Sequence, residues 1–227
     1  LYFYLFPMET KKLVKFLHAL KVNNNKEWFT ANRKEYDFLR TQFTDLVMEL
    51  IFKFKDFDKD LKTTDPKSCI FRINRDIRFS KDKSPYKTMF SASFANHGRG
   101  IGSPTYYFHI DADGKLLVAG GVHMPEPQNL EKLRQSIYTK PELFEEIIYD
   151  KVFEETFGKL DSEFKLKRVP RGYPENFELV EYLKYKGYSA GKELKAEDYE
   201  GEKLIEVILK YFKKLLPLVR WGRDILE

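Results

Sequence analysis

Hydrophobic residues in the N-terminal third recur at the three- and four-residue spacing of an α-helix. A first helix is predicted by a short stripe, Leu13, Phe16, Leu17 and Leu20. Asn25 is a suitable N-cap for the helix that follows. A longer stripe predicts one long helix with a single buried face: Tyr36, Leu39, Phe43, Leu46, Val47, Leu50, Ile51 and Phe54.

The pattern changes to alternation in the middle third, as is typical of β-strands. Apolar and polar side chains alternate from Ile70 to Phe79, so this segment is predicted to be a half-buried strand. Arg75 is the exception, since it falls on the apolar side of the alternation. Phe90, Ala92 and Phe94 alternate with small residues and predict a second strand.

A β-hairpin is predicted around Asp113-Gly114, which is a strong signal for a two-residue turn. Pairing across such a turn puts four apolar residues opposite one another, Phe108 and Ile110 with Ala119 and Leu117. Tyr107 and His109 then point to the other face of the hairpin.

The final third returns to helical spacing. Helices are predicted at 127–138, from Pro141, at 177–184 and from Gly201. Pro217 is expected to kink or end the last of them. Antiparallel strands bracketed by helices predict a single α+β domain over residues 8–227. We expect one antiparallel sheet of about four or more strands, with its apolar face covered by the N- and C-terminal helices.

Residues 1–7 are apolar and lack the basic region and the length of a secretory signal. We expect the native chain to start at Met8 and the preceding residues to be an expression remnant or an apolar arm. No apolar run approaches the roughly 18 residues of a transmembrane helix. The single cysteine, Cys69, excludes an internal disulfide and a Cys-based zinc site. We therefore expect a cytoplasmic protein that does not enter a membrane.

Positive charge is concentrated in one segment of the chain. The net charge is +5, and residues 71–87 hold six bases and two acids. Four of the five excess positive charges therefore lie in these 17 residues. This distribution favours a localised site over a diffusely basic surface.

The basic segment is the candidate ligand-binding site, because closely spaced arginines can present guanidinium groups to phosphate or carboxylate. Arg75 should be mostly buried and charge-paired, since an unpaired buried charge is very costly. Arg72 and Arg78 should project to the opposite face. The candidate ligand-binding residues are Arg75, Asp76, Arg78, Ser80, Lys83, Tyr86 and Lys87.

The run at 71–87 closely resembles the signature of domain-of-unknown-function family 2461. The segments 23–29, 120–125 and 166–173 are also similar to that family. The resemblance spans roughly residues 8–226 and implies one compact domain. It implies no activity, cofactor or catalytic residue.

Three kinds of function remain open. In the first, the protein binds a small phosphate- or carboxylate-bearing ligand, as an enzyme or not, with Asp76 as orienter or base. In the second, the same bases bind nucleic acid, and Tyr86 and Tyr107 act as stacking surfaces. In the third, a non-catalytic structural protein uses the segment as an internal ion-pair network. Concentrated charge favours the first over the second, because proteins that follow a nucleic-acid backbone spread their bases widely.

Other chemistry is not indicated by the sequence. His109 and His123 fall on opposite faces of the predicted hairpin, so we expect no shared metal site, and no cofactor is predicted. The glycine-rich run at 98–102 lacks the helix that a phosphate-binding loop needs. We expect it to be a flexible loop that can close over a nearby site.

Overall fold

The computed structural model describes residues 7–63, 65–96, 99–100, 102–163 and 165–227. These residues form nine helices and one four-stranded antiparallel sheet, an α+β fold as predicted. The helices are α1 (Thr10–Val22), α2 (Lys26–Ala31), α3 (Arg33–Phe54), α4 (Pro66–Cys69), α5 (Pro127–Thr139), α6 (Pro141–Ile148), α7 (Lys151–Phe157), α8 (Val180–Leu183) and α9 (Glu202–Leu226). The strands are β1 (Met89–Phe94), β2 (Pro104–Asp111), β3 (Lys115–Val122) and β4 (Tyr188–Lys195).

Parts of two expectations fall outside the described residues. The N-terminal segment is described only at Pro7, so the expectation for residues 1–6 lies outside them. Positions 98 and 101 of the glycine-rich run lie outside them as well.

The N-terminal helices follow the sequence pattern closely. All eight members of the long stripe are buried on α3. The side chain of Asn25 caps α2 by accepting a hydrogen bond from the backbone N–H of Trp28 at 2.8 Å. This bond satisfies one of the amide groups that a helix start leaves without a partner.

The sheet has the strand order β1-β2-β3-β4, but its members differ from the prediction. The segment at 70–79 is not a regular strand, and it forms isolated antiparallel bridges from Ile70 to Ala92 and from Asn74 to Tyr86. The fourth strand of the sheet is instead β4, which the sequence did not predict and which pairs with β3. The alternation survives in part, since Ile73 is buried while Arg72 is exposed.

The hairpin between β2 and β3 has a three-residue connection, Ala112 to Gly114, instead of the predicted two-residue turn. Gly114 has a φ of +77°, a conformation that suits glycine. The extra residue shifts the register by one. Leu116 and Val118 are therefore buried in β3, whereas the predicted pair Leu117 and Ala119 is only half-buried.

The last helix, α9, continues through Pro217 to Leu226, so the proline does not end it. Leu218, Val219 and Trp221 are buried beyond the proline, and their packing retains the final turns. The helix predicted at 177–184 is shorter than expected and is confined to α8.

The described residues group into two compact units. One takes its residues from 1–99, 107–118 and 193–210, and the other from 100–106, 119–192 and 211–227. The expectation of a single domain over 8–227 stays a prediction. In the first unit, Phe43 of α3 packs against Phe90 at 5.3 Å and Phe108 at 5.4 Å between ring centroids.

The second unit has its own aromatic core, and in it the backbone at Gly121 lies very close to the backbone at Tyr188. Phe144 packs against Trp221 at 5.0 Å and Tyr188 at 5.7 Å. A Cβ atom on Gly121 would lie 2.2 Å from the carbonyl oxygen of Tyr188, and the φ of Gly121 is +117°. Only glycine therefore fits at this position of the 120–125 segment.

Candidate functional site

The basic segment folds back on itself as an irregular hairpin. Asn74 and Tyr86 form an antiparallel bridge, and the backbone N–H of Lys87 donates to the carbonyl of Ile73 at 2.7 Å. Residues 76–84 form the loop of this hairpin. Because the chain turns within the run, its bases are divided between the loop and the base of the hairpin instead of being spaced along a strand.

Arg75 closes the base of this loop. Its guanidinium forms an ion pair with Asp82, and it donates to the carbonyl of Ser84 at 3.1 Å and to Oγ of Ser80 at 3.3 Å. Its side chain is only 26% exposed, so the prediction that it is mostly buried and charge-paired is confirmed. The carboxylate that pairs with it is not buried, since the Asp82 side chain is 62% exposed.

Asp82 has a second set of bonds within the same loop. The backbone N–H and the hydroxyl of Ser84 donate to its Oδ1 at 2.9 and 2.6 Å. These bonds, and then the ion pair with Arg75, lower the pKa of Asp82 to about 2. Asp82 therefore remains ionised at neutral pH and ties the two sides of the loop together.

Arg78 lies within the loop, and its charge is neutralised by Asp76. Its Nε and Nη2 donate to the two carboxylate oxygens of Asp76 at 2.9 and 2.6 Å. The side-chain bond to Arg78 lowers the pKa of Asp76. Lys83 is exposed and donates to the carbonyl of Ile77 at 3.0 Å. Arg78, Ser80 and Lys83 thus take part in bonds within the loop.

Tyr86 is buried in the protein core beside the hairpin. Its ring stacks on Phe29 with centroids 4.0 Å apart. Its backbone makes two hydrogen bonds with the side-chain amide of Asn24, at 2.9 and 3.1 Å. The structure therefore gives Tyr86 a packing role, which the sequence pattern did not reveal.

An open cleft of about 410 Å³ lies beside the base of the hairpin. Its lining residues are Phe71, Arg75, Asp76, Lys87, Met89, Ser91 and Tyr107. Of the seven residues predicted from the sequence, Arg75, Asp76 and Lys87 line this cleft. The other four do not.

Three cations converge on Phe71 at the wall of the cleft. Nζ of Lys87 lies 5.2 Å from the centroid of the Phe71 ring, and the guanidinium carbon of Arg99 lies 5.7 Å from it. Arg40, on α3, donates to the carbonyl of Phe71 at 3.1 Å. Phe71 therefore has two cations near its ring and a third at its backbone carbonyl.

Lys87 lacks a neutralising partner among the described residues. No carboxylate of that part of the chain lies within ion-pair distance of Lys87, Arg72 or Arg99. Burial, and then the positive charges of Arg72 and Arg99, lower the pKa of Lys87. The cleft therefore has an excess of positive charge at a half-buried amine.

A tyrosine and a histidine on β2 form a polar pair at the cleft. The hydroxyl of Tyr107 and Nδ1 of His109 are 3.1 Å apart, and Tyr107 packs its ring edge against Phe71. Burial raises the pKa of Tyr107 and lowers the pKa of His109, although Asp111 and Glu193 oppose the second shift. Both side chains are therefore uncharged near neutral pH.

Sequence reasoning missed several residues of this site. Tyr107 was predicted only as a stacking surface for nucleic acid, and nothing in the pattern placed it or His109 beside Phe71. Arg99 is in the glycine-rich run at 98–102, which was predicted to be a flexible loop. Arg40 is a polar residue of the long predicted helix, and nothing in the sequence distinguishes it from the other polar residues there. Only the folded chain brings these residues to Phe71.

Neither a cluster of metal ligands nor a membrane-spanning helix is found in the described part of the chain. No group of three or more His, Cys, Asp or Glu side chains there is placed to hold a metal ion. None of the helices described is long and apolar enough to cross a membrane.

The fold and the site define an α+β protein with a cationic, aromatic-walled cleft at the base of a basic hairpin. The family described as "Conserved hypothetical protein (DUF2461)" matches residues 12–221. The chain belongs to this family, as the resemblance in its sequence indicated. No curated protein and no solved structure is significantly similar to it.

Proposed function

We propose that the protein binds a small anionic ligand, bearing phosphate or carboxylate, in the cleft lined by Lys87. The observation that carries this proposal is the set of three cations, Lys87, Arg72 and Arg99, with no carboxylate partner among the described residues. Like charges held together disfavour the fold, and the nearby carboxylate, Asp76, is already paired with Arg78. A bound anion relieves the remaining cost.

The roles of the predicted residues divide according to their contacts. Lys87 contacts the anion directly, and Arg75 and Asp76 form the edge of the cleft. Arg78, Ser80 and Lys83 maintain the loop through the bonds described above. Tyr86 acts indirectly, since its packing fixes the backbone next to Lys87.

Thermal unfolding in the presence of inorganic phosphate, nucleotides and small carboxylates tests this function. A ligand at 100 times its Kd should stabilise the protein by about 2.7 kcal/mol. The stabilisation should weaken as ionic strength rises, because exposed charges are screened. Lys87→Met should abolish the effect.

The matched control is Lys83→Met, which removes the same charge from the same segment outside the cleft. It should retain the ligand-induced stabilisation. Equal losses in the two variants would mean that the segment attracts anions only through its net charge. No stabilisation of the unaltered protein by any of these anions would contradict the proposal.

A second candidate function, binding of single-stranded nucleic acid, is favoured by one observation. Phe79 is 96% exposed at the loop of the hairpin, with the exposed bases Arg78, Lys81 and Lys83 around it. Such a ring next to cations offers a stacking surface for a base. Phe79→Ala should then weaken binding of short oligonucleotides at least tenfold, a loss of about 1.4 kcal/mol. The same substitution should leave phosphate binding unchanged.

A further inference from the structure

The half-buried amine of Lys87 has surroundings that suit a nucleophile as well as an anion-binding cation. We propose that Lys87 forms a Schiff base with a small anion that carries an aldehyde or ketone group. This inference rests on the proposed anion-binding function and names the substrate class of the same cleft. Its support is the cluster of groups that line or adjoin the cleft: Lys87, the neighbouring arginines, and the Tyr107–His109 pair.

A lysine attacks a carbonyl only through its neutral amine, so its surroundings must disfavour the ammonium form. Lys87 lies against the ring of Phe71 and lacks a carboxylate partner among the described residues. Arg72 and Arg99 add positive charge beside it, which also favours the neutral amine. The lowered pKa agrees with this geometry.

The same arginines provide the means to hold the substrate. A guanidinium is always protonated and binds phosphate or carboxylate through paired N–H donors. Arg99 lies against the same Phe71 ring as Lys87, so a short ligand whose anionic group binds Arg99 would place its carbonyl carbon near Nζ of Lys87. The cations therefore act both on the lysine and on its substrate.

Schiff-base formation also needs an acid for the carbonyl oxygen, and Tyr107 lines the same cleft. When Nδ1–H of His109 donates to the Tyr107 oxygen, the phenolic proton of Tyr107 is free to point to the ligand. His109 is then a positioning residue that stabilises the phenolate after proton transfer. Burial lowers the pKa of His109 and keeps the ring neutral, and a neutral ring can carry its single proton on Nδ1.

The proposed step balances without an oxidant or reductant. Nζ of Lys87 forms a bond to the carbonyl carbon, while the oxygen takes a proton from Tyr107 and the nitrogen returns one to it. The C–O bond of this carbinolamine then breaks, and the hydroxyl leaves as water with the proton of Tyr107. The nitrogen lone pair forms the C=N bond, and the remaining N–H proton returns to the phenolate. The products are an imine and one water molecule.

Pyridoxal 5′-phosphate is a suitable probe, because it joins an aldehyde to a phosphate. The protein is treated with this probe and sodium borohydride, and the labelled peptides are identified by mass spectrometry. We expect label on Lys87 at concentrations that leave the exposed Lys83 unlabelled. Inorganic phosphate should protect Lys87. Label spread over the exposed lysines, without preference for Lys87, would overturn the inference.

Lys87→Arg separates this inference from the proposed function, because it keeps the charge and removes the nucleophile. It should retain stabilisation by inorganic phosphate and lose the selective label. Phosphate stabilisation of the unaltered protein without label at Lys87 would overturn the Schiff base and leave anion binding intact. Label at Lys87 without phosphate stabilisation or phosphate protection would support the nucleophile and contradict the anion site.

The role of Tyr107 is tested by Tyr107→Phe. General acid catalysis contributes about 100-fold or more, so imine formation at Lys87 should slow by about that factor. Phosphate stabilisation should stay unchanged, since the ring and its packing on Phe71 are kept. An unchanged labelling rate would remove Tyr107 from the mechanism.

Discussion

The side-chain amide of Asn24 makes two hydrogen bonds to the backbone of Tyr86. Its Nδ2 donates to the Tyr86 carbonyl at 2.9 Å, and its Oδ1 accepts from the Tyr86 N–H at 3.1 Å. Phe29 stacks on the ring of the same tyrosine. Two segments that resemble the family, 23–29 and 71–87, therefore meet here. Their contact fixes the backbone one residue before Lys87.

We expect Asn24→Ala to destabilise the protein by about 1–2 kcal/mol, because two partly buried backbone groups lose their partner. Urea denaturation measures this as a lower midpoint with an unchanged slope. Asn24→Asp is the matched variant, since it keeps the acceptor for the Tyr86 N–H and loses the donor. The urea midpoint of Asn24→Asp should fall between that of Asn24→Ala and that of the unaltered protein. A midpoint for Asn24→Ala equal to that of the unaltered protein would show that the two hydrogen bonds of Asn24 to Tyr86 do not stabilise the fold.

The closure of the loop by Arg75 leads to a second prediction. Arg75→Ala removes bonds to Asp82, Ser80 and the carbonyl of Ser84, and should cost about 1 kcal/mol of stability. The cost stays modest because the stranded carboxylate of Asp82 is exposed and regains water. Lys83→Ala should have a smaller effect, since Lys83 is exposed and makes one bond to a backbone carbonyl. Equal urea midpoints for the two variants would contradict this ranking.

The long-range parts of the fold were the parts that the sequence predicted least well. The stripe on α3 was predictable because helical spacing is set locally by the residues themselves. The segment at 70–79 shows why alternation alone is insufficient. Ile73 is buried, as the alternation predicted. The chain then turns within the basic run, so Phe79, which the alternation placed on the same face, is exposed. β4 carries no clean alternation, and its pairing with β3 is a long-range event.

The candidate site was predictable only in its charge. The excess of bases at 71–87 pointed to Lys87, but the sequence could not show which bases were already paired. Arg78 is neutralised by Asp76 two residues away, whereas Lys87 is not neutralised by any described carboxylate. That difference depends on side-chain geometry and not on spacing in the chain.

A third prediction concerns the acid sensitivity of the loop. The pKa of Asp82 falls from 3.8 to about 2 in the folded protein. A carboxyl group with a lowered pKa stabilises the fold above its unfolded value, and that stabilisation is lost as the pH falls through the folded value. The hairpin should therefore loosen as the pH drops from about 3.8 towards 2.

Nuclear magnetic resonance can follow this loosening at the backbone amide of Ser84, which donates to Asp82. Its chemical shift should titrate with a midpoint near 2. Asp82→Asn removes the titrating group, so that transition should vanish. A midpoint near 3.8 in the unaltered protein would show that Asp82 gains nothing from its partners.

The last prediction is that Lys87→Met stabilises the protein near neutral pH. The fold disfavours the ammonium of Lys87 through burial and the charges of Arg72 and Arg99, which lowers its pKa from 10.5. Between the folded pKa and 10.5 the unfolded chain binds more protons, so the stability of the unaltered protein rises with pH in that window. Below the window the unaltered protein bears the full penalty, so removing the amine should raise the free energy of unfolding.

Urea denaturation at neutral pH and again above pH 10.5 measures this difference, which should shrink at the higher pH because Lys87 is then neutral in both states. Lys83→Met is the control, and its effect should be small at both pH values since Lys83 is exposed. A Lys87→Met variant less stable than the unaltered protein at neutral pH would mean that the amine is well accommodated. The cleft would then lack the electrostatic cost that a bound anion is proposed to relieve. A gain in stability together with loss of phosphate binding would instead identify Lys87 as a residue kept for function at the expense of the fold.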